Sequence, residues 1–324
     1  MRHEHEPDAE VVCVGETMAV LVPSDGGPLE RQRTLHLEVG GAESNVACGL
    51  AALGHRAAWV SRVGDDPLGR RVLADLGARG VDVSGVETDP DRPTGVYFKD
   101  TGAGGTGTHY YRSGSAATLM GPALARHPQL RRARMLHVSG ITAALSDSCA
   151  ELVRTLLSRP GPVVSFDVNH RPALWRHRPA DPAGVLLELA RAADIVFVGR
   201  DEAETLWGTG KPAEIRDLLS PAATVVVKDA ERGAVAFTGD GEEVFVATPD
   251  SAVVERVGAG DAFAAGYLAA RLQRRDTEAA LRLGHLMAAT AMASLGDVPT
   301  ALATAEVESR LALDEAGWAA LRLG

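Results

Sequence analysis

Apolar residues run along this chain in short blocks separated by polar or glycine-containing breaks. Residues 11–14 form a continuous apolar run closed by Gly15, the pattern of a buried strand. Similar blocks at 135–138, 163–166, 195–198 and 225–227 alternate with stretches of helical period. That alternation predicts βαβ units and a mostly parallel sheet. Residues 59–63 read as a further strand, and 235–237 with 244–246 as an antiparallel pair at one edge. Helices are predicted over 44–53, stopped by Gly54, and from the Asp66-Pro67 cap to about Ala78. Two long helices follow at about 262–273 and 277–295.

Four blocks do not fit a parallel sheet. Residues 17–22 and 34–39 flank a turn-rich segment, and 94–99 and 108–112 flank a glycine-rich one, as hairpins do. The economical reading is one doubly wound α/β domain over residues 1–324. Its two β excursions, about 16–40 and 93–114, would pair as a small sheet forming a lid over the active site.

Composition narrows the function. The 324 residues are 45% hydrophobic and 23% charged, enough apolar material for a sizeable core. The net charge of −10 repels nucleic acid and anionic membrane in bulk, so neither is expected as a partner. Cys13, Cys48 and Cys149 lack metal or redox spacing, and so sparse a set implies a reducing, cytoplasmic setting. No run of 18 apolar residues exists. The tail carrying His3 and His5 is polar and lacks the apolar stretch of a signal peptide.

Four segments carry candidate chemistry. Gly258-Ala259-Gly260-Asp261 leads straight into a helix, whose first N–H groups point outward unsatisfied. A carboxylate there suits a general base that takes a hydroxyl proton while amides stabilise a transferring phosphoryl group; a plain helix cap is the equal alternative. Gly40-Gly41 precedes a helix whose first turn holds Asn45, which could bond sugar hydroxyls; a tight turn capped by Ser44 is the simpler reading. Asp167, Asn169 and Arg171 cluster at the C-terminal end of a strand, where open α/β sheets bind ligands. Tyr110 and Arg112 share one strand face, with Tyr97 on the partner strand. An aromatic ring and a guanidinium could together hold a sugar acid, or the hairpin could simply pack on the body.

Two apparent nucleotide motifs fail on context. Residues 102–107 fit G-x-G-x-x-G but run into a strand instead of a helix, and Gly210-Lys211 is followed by Pro212. They read as turns.

Taken together, the segments resemble the ribokinase-like sugar kinases of the PfkB family from Val11 to about Thr300. Gly40-Gly41 with Asn45 matches the first family signature and residues 258–261 the second. Val63-Gly64-Asp65-Asp66, Gly69 and Gly80-Val81-Asp82 match further landmarks. Within the family, residues 40–45, 110–117 and 167–175 are most similar to kinases of 2-keto-3-deoxygluconate, a sugar acid. The resemblance implies that Asp261 is the base and that Gly258, Ala259 and Gly260 form the anion hole. It implies sugar-acid contacts from Gly41, Asn45, Tyr97, Tyr110, Arg112, Arg171 and Asp297. ATP would lie along Asn169, the turn from Lys228 to Gly233, and Gly258 and Gly260. Mg²⁺ would bridge the phosphates, with Glu202 reaching it through water, and a monovalent cation is a further possibility. A homodimer through the lid is implied as well.

The chain departs from the family pattern in three places. Glu255-Arg256 replaces Asp-Thr before the second signature, Gly199 replaces an asparagine, and Ala230 replaces a glycine of the nucleotide turn. Kinases of fructose, ribose or 5-dehydro-2-deoxygluconate are the alternatives, with a non-catalytic sugar or nucleotide sensor behind them.

Overall fold

A computed structural model describes residues 9–25, 27–100, 107–176, 178–230, 232–293 and 302–323. Asp297, His3, His5 and most of the 102–107 turn lie outside these residues.

In chain order the strands are β1 (Val11–Val14), β2 (Met18–Pro23), β3 (Leu35–Gly40), β4 (Ala57–Val60), β5 (Arg62–Gly64), β6 (Glu87–Asp89), β7 (Val96–Asp100) and β8 (Gly107–Tyr111). They continue with β9 (Met135–Ser139), β10 (Val163–Asp167), β11 (Ile195–Gly199), β12 (Thr224–Asp229), β13 (Gly233–Thr238) and β14 (Glu243–Ala247). The main sheet runs β14-β13-β12-β11-β10-β9-β1-β4. From β4 to β12 every pairing is parallel, and β13 and β14 add an antiparallel edge. The edge arises because β12 returns through a tight turn, which cannot supply the long crossover a parallel neighbour needs.

Strands buried on both faces must be apolar throughout, and β1, β4 and most of β9–β12 are. Helices cover both sides. The Ala42–Ala52, Ala259–Leu272 and Thr277–Met292 helices build one core layer around Trp59, Phe197 and Tyr267. The Asp147–Ser158 and Pro182–Arg191 helices build the other around Phe166, Leu152 and Leu186. Phe197 meets Tyr267 edge-on at 5.4 Å between ring centroids, tying sheet to helix. Among the described residues no helix is long and apolar enough to cross a membrane. The three cysteines are buried and unbridged.

A second sheet has the order β3-β2-β7-β8, so the two early β segments pair with one another. Val20 is the register partner of Tyr97, and Tyr97 of Tyr110. Met18, Val20, Val22 and Tyr97 form a small apolar cluster on one face of this sheet.

Several boundaries differ from the sequence expectation. The 59–63 strand is two strands: β4 ends at Val60, buried Ser61 intervenes, and β5 leaves the main sheet to pair with β6. The first helix starts at Ala42, capped by the backbone of Gly41, so Ser44 is not its cap; the Ser44 hydroxyl donates back to the Gly41 carbonyl at 3.0 Å. The signature helix starts at Ala259, three residues early, because Gly258 at φ +82° turns the chain in the left-handed region. Asp66 caps its helix as expected, accepting from Gly69 N at 2.7 Å.

Candidate active site

The C-terminal ends of β1 and β9–β12 open on one side of the main sheet, as Gly15, Ser139, Asp167, Gly199 and Lys228 show. A cleft of about 1520 Å³ lies there between sheet edge, helix ends and small sheet. Gly41, Asn45, Tyr97, Tyr110, Arg112, Asn169, Arg171, Glu202, Lys228, Gly233 and residues 258–261 all line it. Asp297 is the one candidate whose position lies outside the described residues.

At the centre, Asn45 Nδ2 donates to Asp261 Oδ2 at 2.9 Å across 216 positions of sequence. The two signatures therefore meet through this hydrogen bond. Asp261 stands in the first turn of the helix that Gly258 caps. Burial pushes its carboxyl up to about 7, outweighing the Asn45 bond; the nearby Asp167 raises it further, while Arg171 and Lys228 pull down. A carboxyl titrating there is matched to proton abstraction near neutral pH.

One end of the cleft is built on the small sheet. Arg112 is only 8% exposed, and its guanidinium lies 5.6 Å from the centre of the Tyr110 ring. Tyr110 and Tyr97 rings are 5.4 Å apart. The Arg112 guanidinium pairs with Glu16, which follows β1 and is almost fully buried; Ser115 Oγ donates to the other Glu16 oxygen. Among the described residues, Arg112 Nε and Asn45 Oδ1 are buried without hydrogen-bond partners. Buried groups of this kind are costly unless a ligand or water meets them. Arg171 is exposed, beside the short Pro172–Trp175 helix.

The other end is built on strand ends. Lys228 Nζ donates to Asp167 Oδ2 at 2.9 Å. Burial alone would lower the Lys228 ammonium, but Asp167 and Glu202 raise it above its ordinary value. Glu202 accepts from Gly199 N at 3.1 Å and from His170 N, so it ties the ends of β10 and β11 together. Burial, with Asp167 nearby, raises its carboxyl. Two non-glycine residues take left-handed backbone here: Asn169 at φ +39° and Ala230 at φ +24°. His285 also lines the cleft, with Nε2 3.1 Å from the Val246 carbonyl. Burial pushes His285 down to about 4, so the ring is neutral.

Beneath the site lies a carboxylate that the motif reading passed over. Glu43 is fully buried, and its Oε1 accepts from Ser139 Oγ and Thr142 Oγ1, both at 2.6 Å. Burial raises its carboxyl despite those bonds. Gly15 leaves room for it: a Cβ at position 15 would stand 2.1 Å from Glu43 Cδ. Glu16 was also missed, although a carboxylate just past a buried parallel strand is a signal for the ligand edge.

A mostly parallel α/β sheet with a carboxylate poised at a glycine-turned helix mouth defines a phosphotransferase site of ribokinase-like architecture. Residues 8–303 match the pfkB family of carbohydrate kinases, and the chain belongs to that family. It is 36% identical over 296 residues to a 2-dehydro-3-deoxygluconokinase of Bacillus subtilis, covering 89% of this chain and 91% of the relative. Among solved structures, the PfkB protein of Polaromonas sp. JS666 superposes with a TM-score of 0.81 at 36% identity, covering 90% and 97% of the two chains. The fructokinase of Xylella fastidiosa, solved with bound ATP, gives 0.78 at 26% identity, covering 92% and 97%.

Proposed function

We propose that the enzyme transfers the γ-phosphoryl group of ATP to the 6-hydroxyl of 2-keto-3-deoxygluconate, the substrate that the Bacillus relative's name gives as 2-dehydro-3-deoxygluconate. The carrying observation is the Asn45–Asp261 pair at the helix mouth, in a cleft that also holds Arg112 and Arg171. A neutral hexose needs no such cations, whereas a sugar acid needs its charge met.

In this reading Arg112 and Arg171 receive the carboxylate, and Tyr97 and Tyr110 pack on the apolar face of the carbon chain, with Gly41 giving close backbone approach. Asn45 fixes the Asp261 carboxylate, which takes the hydroxyl proton. The hydroxyl oxygen then forms the new P–O bond as the bond to the ADP oxygen breaks. Amides of Gly258, Ala259 and Gly260 meet the charge on the transferring group. The nucleotide lies along Asn169, Lys228 and Gly233. The small sheet, residues 16–40 and 93–114, acts as the lid of a single domain.

The donor set suits Mg²⁺: Asp167 and Glu202 are hard oxygen donors near enough for the Asp167 charge to raise the Glu202 carboxyl. Glu202 would hold the ion through water, and the ion, when bound, neutralises phosphate charge. A monovalent cation and a lid-to-lid homodimer belong to the same proposal. Tyr111, 69% exposed on the small sheet, is the residue such a dimer would cover. Light scattering and a potassium-free assay test these two.

The deciding experiment is an ADP-release assay with ATP, Mg²⁺ and a panel of 2-keto-3-deoxygluconate, its galactonate epimer, fructose, ribose and 5-dehydro-2-deoxygluconate. Selective turnover of 2-keto-3-deoxygluconate or its galactonate epimer over 5-dehydro-2-deoxygluconate and the neutral sugars is expected. Preference for a neutral sugar would overturn the reading of the arginines.

A further inference from the structure

The departure at Glu255 finds a partner in the fold. Lys99 lies on β7, two residues from Tyr97 and therefore on the same face of the small sheet. It is only 2% exposed, and a buried ammonium requires compensation. The Glu255 carboxylate stands 3.8 Å from its Nζ. Glu255 belongs to the segment leading into Gly258. Its Oε1 accepts from the amides of Arg256 at 2.9 Å and Val257 at 3.3 Å. Its own amide donates to the Met292 carbonyl at 3.2 Å, anchoring the segment to the end of the Thr277–Met292 helix. One carboxylate thus braces the backbone just before the glycine turn and reaches the sheet that carries Tyr97.

We propose that Lys99 and Glu255 are positioning residues that couple the two ends of the cleft: their ion pair fixes the small sheet against the anion loop, so that sugar-acid binding raises nucleotide affinity and the reverse. The inference rests on the kinase reading above. Reciprocity is required, because a coupling free energy is shared by both ligands.

The test is calorimetric titration of the intact enzyme with ADP, with and without saturating 2-keto-3-deoxygluconate, and the reverse titration. The parent is expected to show coupling of roughly tenfold. Lys99→Met and Glu255→Gln are each expected to reduce it to near unity, the double variant no further, and Lys99→Arg to retain it. Parent-like coupling in both single variants, or losses that simply add in the double, would overturn the inference. So would a parent that turns over the acid without coupling. Should Lys99→Met fail to fold, Glu255→Gln and Lys99→Arg carry the comparison. A parent that neither binds nor phosphorylates the acid would instead defeat the substrate reading, which the ADP-release panel detects separately.

Discussion

The two ends of the cleft are built differently. The strand-end side draws on the ends of buried parallel strands and on helix starts: Asn169 after β10, Glu202 in the first turn of the helix after β11, Lys228 near the end of β12, and the glycine turn that opens the Asp261 helix. Each donor is placed by the strand or helix it terminates, and the charges compensate locally, Lys228 with Asp167. The small-sheet side draws on Glu16, Tyr97, Arg112 and Ser115, which only tertiary pairing assembles. There the arginine is aimed by a buried carboxylate that also cancels much of its field. In the proposed reading the first arrangement meets the nucleotide and the second the sugar acid. If the proposed reading holds, substitutions on the small-sheet side should change acid binding more than nucleotide binding, and those at the strand ends the reverse, with Arg171 after β10 the residue that touches both.

The largest effect is expected at the junction. Asp261→Asn should lower kcat by about 10²–10⁴-fold in the ADP-release assay while leaving acid binding measurable. Because the active form is the carboxylate and its pKa lies at about 7, parental kcat/KM should fall about tenfold per pH unit below 7 and level off above. Linkage gives a stability counterpart. The folded pKa is raised above its ordinary 3.8, so the contribution of Asp261 to stability is full below about 3.8 and is lost as pH rises through 7. Asp261→Asn should accordingly melt higher than the parent at pH 8, with the difference shrinking towards pH 4. An equal offset at both would contradict this.

Next comes Arg112→Ala, which should reduce kcat/KM for the acid by roughly 10–100-fold, the scale of a charged hydrogen bond lost. ATP affinity measured without the acid should be unchanged; a loss there would erase the separation of the two ends. Glu16→Gln should act through Arg112 and cost roughly tenfold, mostly in KM. The same substitution in an Arg112→Ala background should cost little more, and a full additional loss would show that Glu16 acts independently. The smallest effect is on the strand-end side. Ala230→Gly relieves a left-handed alanine and should stabilise by about 1 kcal/mol in denaturant unfolding with little change in turnover.

The same division decides what the sequence revealed. Apolar runs such as residues 11–14 and 195–198 announce buried strands because both faces must be apolar, and the parallel order follows from their alternation with helices. The glycine turn before Asp261 was legible because backbone conformation needs glycine locally. Glu43 and Lys99 were not, since the partners of Glu43 lie 96 and 99 positions away and that of Lys99 more than 150, and no periodicity encodes such pairs. The chain turns polar at Ser61-Arg62, and the pairing of β5 with β6, with Arg62 bridging to Glu87 and Asp89, draws it away from the main sheet.

The fit between Gly15 and Glu43 also bears on how this chain can change over time. A side chain at position 15 would overlap the Glu43 carboxyl, and removing that carboxyl takes an acceptor from the hydroxyls of Ser139 and Thr142, leaving Thr142 the Val14 carbonyl at 3.3 Å. A chain that enlarges residue 15 must already have shortened residue 43, so the order of substitutions at this pair is constrained in one direction.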